Sequence, residues 1–127
     1  MSHFYITTTL PYANAQPHLG HAIEFIQADV IARWRRSQGD QVLFNLGTDE
    51  HGLKMYQKAE ENNESVEDFI TRNRQHFYDF CEQFGISYDN FYATSDPKHY
   101  EVAQALWKAC DANGDIYKKT YKGLYCV

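Results

Sequence analysis

The sequence is poor in cysteine motifs and has no long apolar run. The three cysteines, Cys81, Cys110 and Cys126, are odd in number and widely spaced, and no CxxC pair occurs. A disulfide framework or a thiolate zinc site is therefore not expected. No stretch approaches the roughly 18 apolar residues of a membrane-spanning helix, and the start, MSHFYITTTL, is unlike a secretory signal. These absences predict a soluble, reduced, cytoplasmic protein with no membrane partner.

Clustered basic residues are also scarce. Twelve Lys and Arg residues stand against 17 Asp and Glu residues, which gives a formal net charge of -5, and the single basic cluster is RWRR at 33–36. Strong non-specific binding to nucleic acid requires many Lys and Arg contacts to phosphates, so this function class is excluded. With 43% hydrophobic and 16% aromatic residues in 127, the chain is expected to fold with one core.

Strand and helix periods alternate in the first half of the sequence. The β-branched and aromatic run at residues 3–10 predicts a strand. From Pro17 in the first helical turn to Gly39, apolar residues recur at the spacing of one helical face, namely Leu19, Ile23, Ile26, Val30 and Trp34. A second strand is predicted at Val42–Leu46, and the helix between is long enough for a parallel crossover. The fold class is therefore α/β, built on a βαβ unit.

The second half is predicted to be mainly helical. A helix follows Gly52, and another begins after Ser65, whose side chain is expected to form a cap with Asp68. A short third strand is expected within residues 86–96, followed by a helix from Pro97 to Asn113 that ends at Gly114. Residues 116–127 read IYKKTYKGLYCV. Their side-chain types alternate with the two-residue period of a strand, which predicts a short β-hairpin.

Polar residues cluster in the two loops that follow the first two predicted strands. In a βαβ fold, ligands bind beyond the carboxyl ends of the strands, where residues 10–21 and 47–52 lie. His18 and His21 fall at the start of the helix, where backbone N–H groups and the helix dipole favour an anion. Glycine at position 20 destabilises the helix by about 1 kcal/mol relative to alanine. A ligand that lies against the backbone here is one reason for a glycine at this position.

Other interpretations of the same residues stay open at this point. The two histidines three residues apart have metal-ligand spacing, with Asp49 or His51 as a third ligand. They are also compatible with solvated residues at a helix start. Asp49 alone is compatible with a turn or capping residue before the next helix.

Three motifs together resemble one enzyme family. PYANAQPHLGH at 11–21, GTDEHG at 47–52 and GDIYKKTYKGLYCV at 114–127 are similar to the N-terminal part of methionyl-tRNA synthetases, which are class I aminoacyl-tRNA synthetases. HxGH after a strand is shared by class I synthetases and related nucleotidyltransferases, whereas PYAN and GTDEHG are typical of the methionine enzymes. The resemblance covers essentially the whole chain and implies a Rossmann-like parallel βαβ nucleotide-binding fold, incomplete in these residues.

The resemblance also implies an activity and a set of site residues. The activity is the activation of methionine with ATP and Mg2+ to methionyl-adenylate, for transfer to tRNA(Met). His18 and His21 would act as catalytic residues on the ATP phosphates, by positioning and electrostatics. The implied ATP-binding residues are Tyr12, Asn14, His18, Gly20, His21 and Glu24, and the implied methionine-binding residues are Leu10, Tyr12 and Asp49. No protein-bound metal is implied in this segment.

Parts of the family pattern are absent from the 127 residues. These are the lysine-rich second nucleotide signature, the later aromatic residues of the methionine pocket, the metal-knuckle insertion and the anticodon-binding domain. We therefore expect residues 1–115 to form the N-terminal half of the catalytic domain and residues 116–127 to begin a connective insertion, with the missing C-terminal part as partner. The segment alone is expected to be inactive or very weakly active. The alternatives are a nucleotide- or partner-binding module without turnover, and a segment of another class I synthetase.

Overall fold

The structure is a computed structural model that describes residues 2–120 and 122–123. Its elements, in chain order, are β1 (His3–Thr7), α1 (Leu19–Ser37), β2 (Gln41–Thr48), α2 (Leu53–Glu61), α3 (Val66–Gln83), β3 (Asn90–Ala93) and α4 (Pro97–Ala112). The chain divides into two compact units, with the boundary between Asp96 and Pro97. The first unit contains the sheet and both predicted ligand loops.

The first unit is built on a parallel three-stranded sheet in the order β1-β2-β3. Thr7 pairs with Asn45 across β1 and β2, and Asn45 pairs with Asn90 across β2 and β3. The parallel βαβ unit and the short third strand predicted from the sequence are confirmed. Because all three strands run in one direction, the loops that follow them meet at one edge.

Two apolar clusters hold the first unit together. The larger lies between α1, β2 and α3, and its buried members are Phe25, Ala28, Ala32, Phe44, Leu46, Phe77, Cys81 and Ile86. The smaller joins α2 to α3 through Met55, Ala59, Phe69 and Ile70. The cap predicted at Ser65 is confirmed, since its side chain accepts a hydrogen bond from the Asp68 N–H at 3.0 Å.

The buried face of α1 differs from the apolar face that the sequence spacing singles out. That face is exposed at all its positions: Leu19 80%, Ile23 60%, Ile26 38%, Val30 59% and Trp34 54%. The helix instead buries a face made mostly of small residues, Ala22, Phe25, Ala28, Asp29 and Ala32. Alanines let the helix backbone lie close to the sheet, and Phe25 fills the space that remains.

Asp29 is fixed on the buried face by polar contacts to the loop before β3. Its carboxylate accepts from the Ser87 N–H at 2.7 Å and from Arg33 Nε at 2.6 Å. Burial alone would raise the pKa of Asp29, but the hydrogen bonds from Ser87 and Arg33 outweigh it and lower that pKa. The Asp29 contacts thus join α1 to the segment that leads into β3.

The second unit contains α4, which matches the predicted helix to within one residue at its end. Gly114 follows with φ 79°, the left-handed conformation that ends many helices. Residues 115–120 and 122–123 are neither helix nor strand, so the predicted hairpin is wrong for these residues. A strand requires a neighbouring strand to satisfy its backbone groups, and the described residues pair none with 115–120. Residues 121 and 124–127 of the predicted hairpin lie outside the described residues.

Within the described ranges, no helix combines the length and the apolar composition needed to cross a bilayer.

Candidate functional site

The loops after β1 and β2 are joined by backbone hydrogen bonds. The Asp49 N–H donates to the Pro11 carbonyl at 2.8 Å, and the Ala13 N–H donates to the Asp49 carbonyl at 3.0 Å. Tyr12 and Asp49 thereby form an isolated parallel bridge that continues the β1-β2 pairing past the sheet. Leu10 and Tyr12 remain 37% and 52% exposed. The structure thus brings the three predicted methionine-binding residues to one edge of the sheet.

His18 and His21 form a reciprocal cap at the start of α1. His18 is the N-cap residue, and its Nδ1 accepts from the Gly20 N–H at 3.1 Å. His21 Nδ1 accepts from the His18 N–H at 3.1 Å, and the two rings stack with centroids 3.9 Å apart. Pro17 was predicted to lie in the first helical turn, but it precedes the cap, because the His18 cap moves the first helical residue to Leu19.

The reciprocal cap determines which ring nitrogens can donate. Since both Nδ1 atoms accept backbone N–H groups, a neutral ring carries its hydrogen on Nε2. Burial lowers the pKa of His21, the neighbouring His18 lowers it further, and Glu24 partly opposes both effects. The neutral, Nε2–H form of His21 is therefore favoured. The helix N-terminus presents two imidazole Nε2–H donors at the positive end of its dipole, an arrangement suited to an anion.

Gly20 leaves room for the ring of His18 in the cap. A Cβ at this position would lie 2.8 Å from Cε1 and 3.0 Å from Nδ1 of His18, so the His18 ring would have to shift out of the cap. A ligand against the backbone is thus not the only reason for glycine here. The His18 ring already occupies the space that a side chain would need.

The remaining predicted nucleotide contacts have different environments. Glu24 accepts from the Thr9 N–H at 2.6 Å and from Thr9 Oγ1 at 2.7 Å, which ties α1 to the loop after β1. Asn14 is half-buried in the turn that follows the Tyr12–Asp49 bridge. Glu24 therefore has a structural role in the loop, beside the nucleotide contact predicted for it.

Asp49 has features of a turn-forming residue and of a ligand-binding residue, the two interpretations that its sequence context allows. Its Oδ1 accepts from the His51 N–H at 3.2 Å, as a turn-forming aspartate does. The same residue lies at the edge shared by Leu10 and Tyr12, as a ligand-binding aspartate would. His51 Nε2 lies 3.1 Å from the Thr94 carbonyl oxygen, to which it donates.

A buried polar cluster around Glu50, next to Asp49, is not among the residues predicted from the sequence. Glu50 is 1% exposed, and both its carboxylate oxygens are bonded to Arg74, at 2.6 and 2.7 Å. Thr48 Oγ1 donates to Glu50 at 2.7 Å and Ser95 Oγ also donates to it. The adjacent acidic residues in GTDEHG were a local signal, but the partners lie 24 and 45 residues away.

Gly47 is a second residue whose role depends on tertiary contacts. A Cβ at Gly47 would overlap the Tyr92 carbonyl oxygen and lie 2.8 Å from its carbon and 2.9 Å from Leu10 Cδ2. Only glycine lets β3 and the loop after β1 approach β2 this closely.

The metal interpretation of the two histidines requires further ligand side chains close to them. Among residues 2–120 and 122–123, no group of three or more His, Cys, Asp and Glu side chains is arranged to hold a metal ion.

Comparison with known proteins identifies relatives along the whole chain. A family model described as "tRNA synthetases class I (M)" matches residues 4–127. The methionine–tRNA ligase of Mycobacterium leprae (strain TN) is 46% identical over 127 residues, which are 100% of this chain and 24% of that protein. The methionine–tRNA ligase of Brucella suis biovar 1 (strain 1330) is 44% identical over 124 residues, 98% of this chain and 24% of that protein.

A solved structure gives the same result for the fold. Mycobacterium tuberculosis methionyl-tRNA synthetase in complex with methionyl-adenylate matches with a TM-score of 0.90 and 43% identity. The match covers 92% of this chain and 23% of that one. This chain thus spans about a quarter of the length of its curated relatives. Because the family model matches nearly all of its residues, the chain belongs to the class I (M) tRNA synthetase family.

Proposed function

We propose that the protein containing this chain is a methionine–tRNA ligase. It joins methionine to ATP, supplied with Mg2+, as methionyl-adenylate with release of pyrophosphate, and then transfers the methionyl group to tRNA(Met). Residues 1–115 would contribute the N-terminal half of the catalytic domain and residues 116–127 the start of a connective insertion. The names of the relatives and the adenylate bound to the Mycobacterium tuberculosis enzyme support this proposal.

The reciprocal histidine cap at an exposed helix N-terminus is the observation that carries the ATP side of the proposal. When a methionine carboxylate oxygen bonds to the α-phosphorus, the bond to pyrophosphate breaks and negative charge grows on the phosphate oxygens. The Nε2–H groups of His18 and His21 are donors for that charge, and the cap holds them before the reaction starts. Gly20 and Asn14 would contact the nucleotide, and Glu24 would do so while holding Thr9.

The methionine side of the proposal rests on the joined loops. An α-ammonium group requires a fixed carboxylate, and the backbone of Asp49 is held by Pro11 and Ala13. Tyr12 lies opposite Asp49 in the isolated bridge, where its ring can cover a bound amino acid. Leu10, in contact distance of Gly47, supplies apolar surface beside it.

The test is Asp49→Asn in the longer protein that contains this chain. Methionine-dependent exchange of pyrophosphate into ATP should lose at least about thirtyfold in kcat/KM for methionine, since a charge left without its partner costs about 2 kcal/mol or more. The matched control is Asp40→Asn, which makes the same change just before β2, at the opposite edge of the sheet. Unchanged exchange in Asp49→Asn would contradict the methionine assignment.

Competition between amino acids separates the remaining alternatives. Exchange driven by leucine, isoleucine or valine in preference to methionine would identify another class I synthetase. ATP binding without exchange under any amino acid would identify a binding module. Charging of tRNA(Met) in the presence of methionine supports the proposal.

A further inference from the structure

Glu50 is a charged side chain with almost no contact with solvent. Its side chain is 0% exposed, while that of Arg74, its partner on α3, is 27% exposed. A carboxylate in this position is costly to bury unless it is paired and fully hydrogen-bonded. Glu50 meets this condition, because Arg74, Thr48 and Ser95 all donate to it.

The contact between Glu50 and Arg74 is two-pronged. Arg74 Nε donates to Oε1 and Arg74 Nη2 donates to Oε2, and Nη2 also donates to Ser95 Oγ at 3.0 Å. A planar guanidinium in this geometry fixes the orientation of the carboxylate as well as its charge. The cluster therefore connects the loop after β2 rigidly to α3 and to the segment after β3.

The backbone around Glu50 explains what this rigidity does. Thr48 and Glu50 are buried, whereas Asp49 between them is half-buried, and Thr94 Oγ1 donates to Asp49 Oδ1 at 3.5 Å. The Glu50 N–H donates to Thr94 Oγ1 at 2.8 Å, and the Thr94 N–H donates to the Thr48 carbonyl at 3.1 Å. Thr94 thus contacts both residues, so a displacement of Glu50 would reach the Asp49 carboxylate through Thr94 and through the shared backbone.

We propose that Glu50, held by Arg74 and Ser95, is the positioning residue that fixes the Asp49 carboxylate for the ammonium group of an amino acid. This inference rests on the proposed function of Asp49 in binding methionine. Because Arg74 balances the charge of Glu50, the Glu50 carboxylate does not compete for the ammonium group. Asp49 is therefore the carboxylate that pairs with the substrate. Glu50 and Arg74 do not touch the substrate.

The experiment compares Glu50→Gln and Arg74→Lys in the longer protein that contains this chain. Glu50→Gln keeps the shape of the side chain and removes its charge, and Arg74→Lys keeps the charge and removes the two-pronged contact. In pyrophosphate exchange, each should raise the KM for methionine about tenfold or more, as small displacements of a binding group do. The KM for ATP should stay within about twofold, since ATP is bound by the loop after β1.

A double variant tests whether the two residues act together. If Glu50 and Arg74 act as one unit, Glu50→Gln with Arg74→Lys should raise the methionine KM no more than the larger single effect. Asp29→Asn is the matched control, because Asp29 is another buried carboxylate paired with an arginine, Arg33, at 2.6 Å. It should lower the melting temperature without changing the methionine KM.

The outcomes separate this inference from the proposed function. If Asp49→Asn raises the methionine KM while Glu50→Gln and Arg74→Lys only lower the melting temperature, the positioning role is wrong and the methionine site stands. If Asp49→Asn leaves the methionine KM unchanged, both the methionine site at Asp49 and the positioning role of Glu50 are wrong. Should Glu50→Gln fail to fold, Arg74→Lys and Ser95→Ala carry the same test.

Discussion

The two histidines at the start of α1 combine a structural role with the chemical role proposed for them in the same rings. Each uses Nδ1 to cap the helix, at 3.1 Å from a backbone nitrogen, which leaves Nε2 as the donor. Helix capping is usually done by Ser, Thr, Asp or Asn. Imidazole replaces these residues here because it can accept with one nitrogen and donate with the other.

Gly20→Ala should separate stability from activity. Alanine gains about 1 kcal/mol of helix propensity, and the displaced His18 cap loses about 1 kcal/mol, so the melting temperature should change little. The His18 ring must turn away from the new Cβ, so exchange activity should fall about tenfold or more. The exposed Gln27→Ala on α1 is the control, and unchanged exchange in Gly20→Ala would argue against the role of the His18 ring.

Gly47→Ala, in contrast to Gly20→Ala, should lower the stability of the fold. Its Cβ would overlap the Tyr92 backbone, which cannot move without separating β3 from β2. We expect a loss of about 3 kcal/mol or more in the free energy of unfolding, the upper part of the range for overpacking. The measurement is urea unfolding of Gly47→Ala and Gly20→Ala side by side. A loss of less than about 1 kcal/mol in the unfolding free energy of Gly47→Ala would contradict the close approach of Tyr92 to Gly47.

His21 should make stability depend on pH. Its pKa is lowered in the folded state by burial and by His18, so the unfolded chain takes up a proton at higher pH. The resulting stability is fully present above the ordinary pKa of about 6.5 and is lost as pH falls through the lowered value. Protonation at Nδ1 would also remove the acceptor for the His18 N–H.

The measurement is the free energy of unfolding from pH 8 to pH 5 in wild type and His21→Gln. Glutamine at this position can accept the same N–H, as in a capping box, but does not titrate. The variant should therefore lose stability less steeply below about pH 6.5. Identical slopes in the two proteins would exclude a lowered pKa for His21.

At the scale of the element, α1 shows that two apolar faces can exist on one helix. The face with larger side chains is exposed, and the face with three alanines and Phe25 is buried. Phe25→Ala should cost about 3–5 kcal/mol, whereas Val30→Ala on the exposed face should cost less than about 1 kcal/mol. Urea unfolding of the 127-residue chain tests this, and equal losses would mean that the outer face is buried as well.

At the scale of the whole molecule, the proposed phosphate site has only one of its two sides, that of His18 and His21, within the 127 residues. The chain spans 24% of its curated relatives, and the lysine-rich signature implied by the resemblance is not in its sequence. Losing one set of preorganised donors typically costs about a hundredfold or more in rate. The purified 127-residue chain should therefore not sustain charging of tRNA(Met), and efficient charging by it would overturn the half-site proposal.

The acidic composition supports the same expectation for tRNA. A formal net charge of -5 offers little attraction to a polyanion.

Any residual pyrophosphate exchange by the 127 residues should disappear in the double variant His18→Ala, His21→Ala. Exchange that survives this substitution would remove the histidines from the proposed mechanism.

The sequence by itself determined the helices and strands of the first unit and the helix α4, but not the structure of residues 115–120 and 122–123. Periodicity located the strands and helices, because side-chain alternation and helical spacing are properties of short segments. The cap formed by His18 and His21 was not among the predictions, although all its contacts lie within three residues. The facing of the two ligand loops followed from the parallel βαβ pattern.

Only the tertiary structure decided which face of α1 is buried and what lies beneath Asp49. Apolar periodicity cannot choose between two apolar faces, and the choice was made by packing against β2 and α3. The contacts of Glu50 with Arg74 and Ser95 join residues 24 and 45 positions apart, as does the approach of Tyr92 to Gly47 across two strands. Such contacts form only when distant segments fold together, so a local pattern does not contain them.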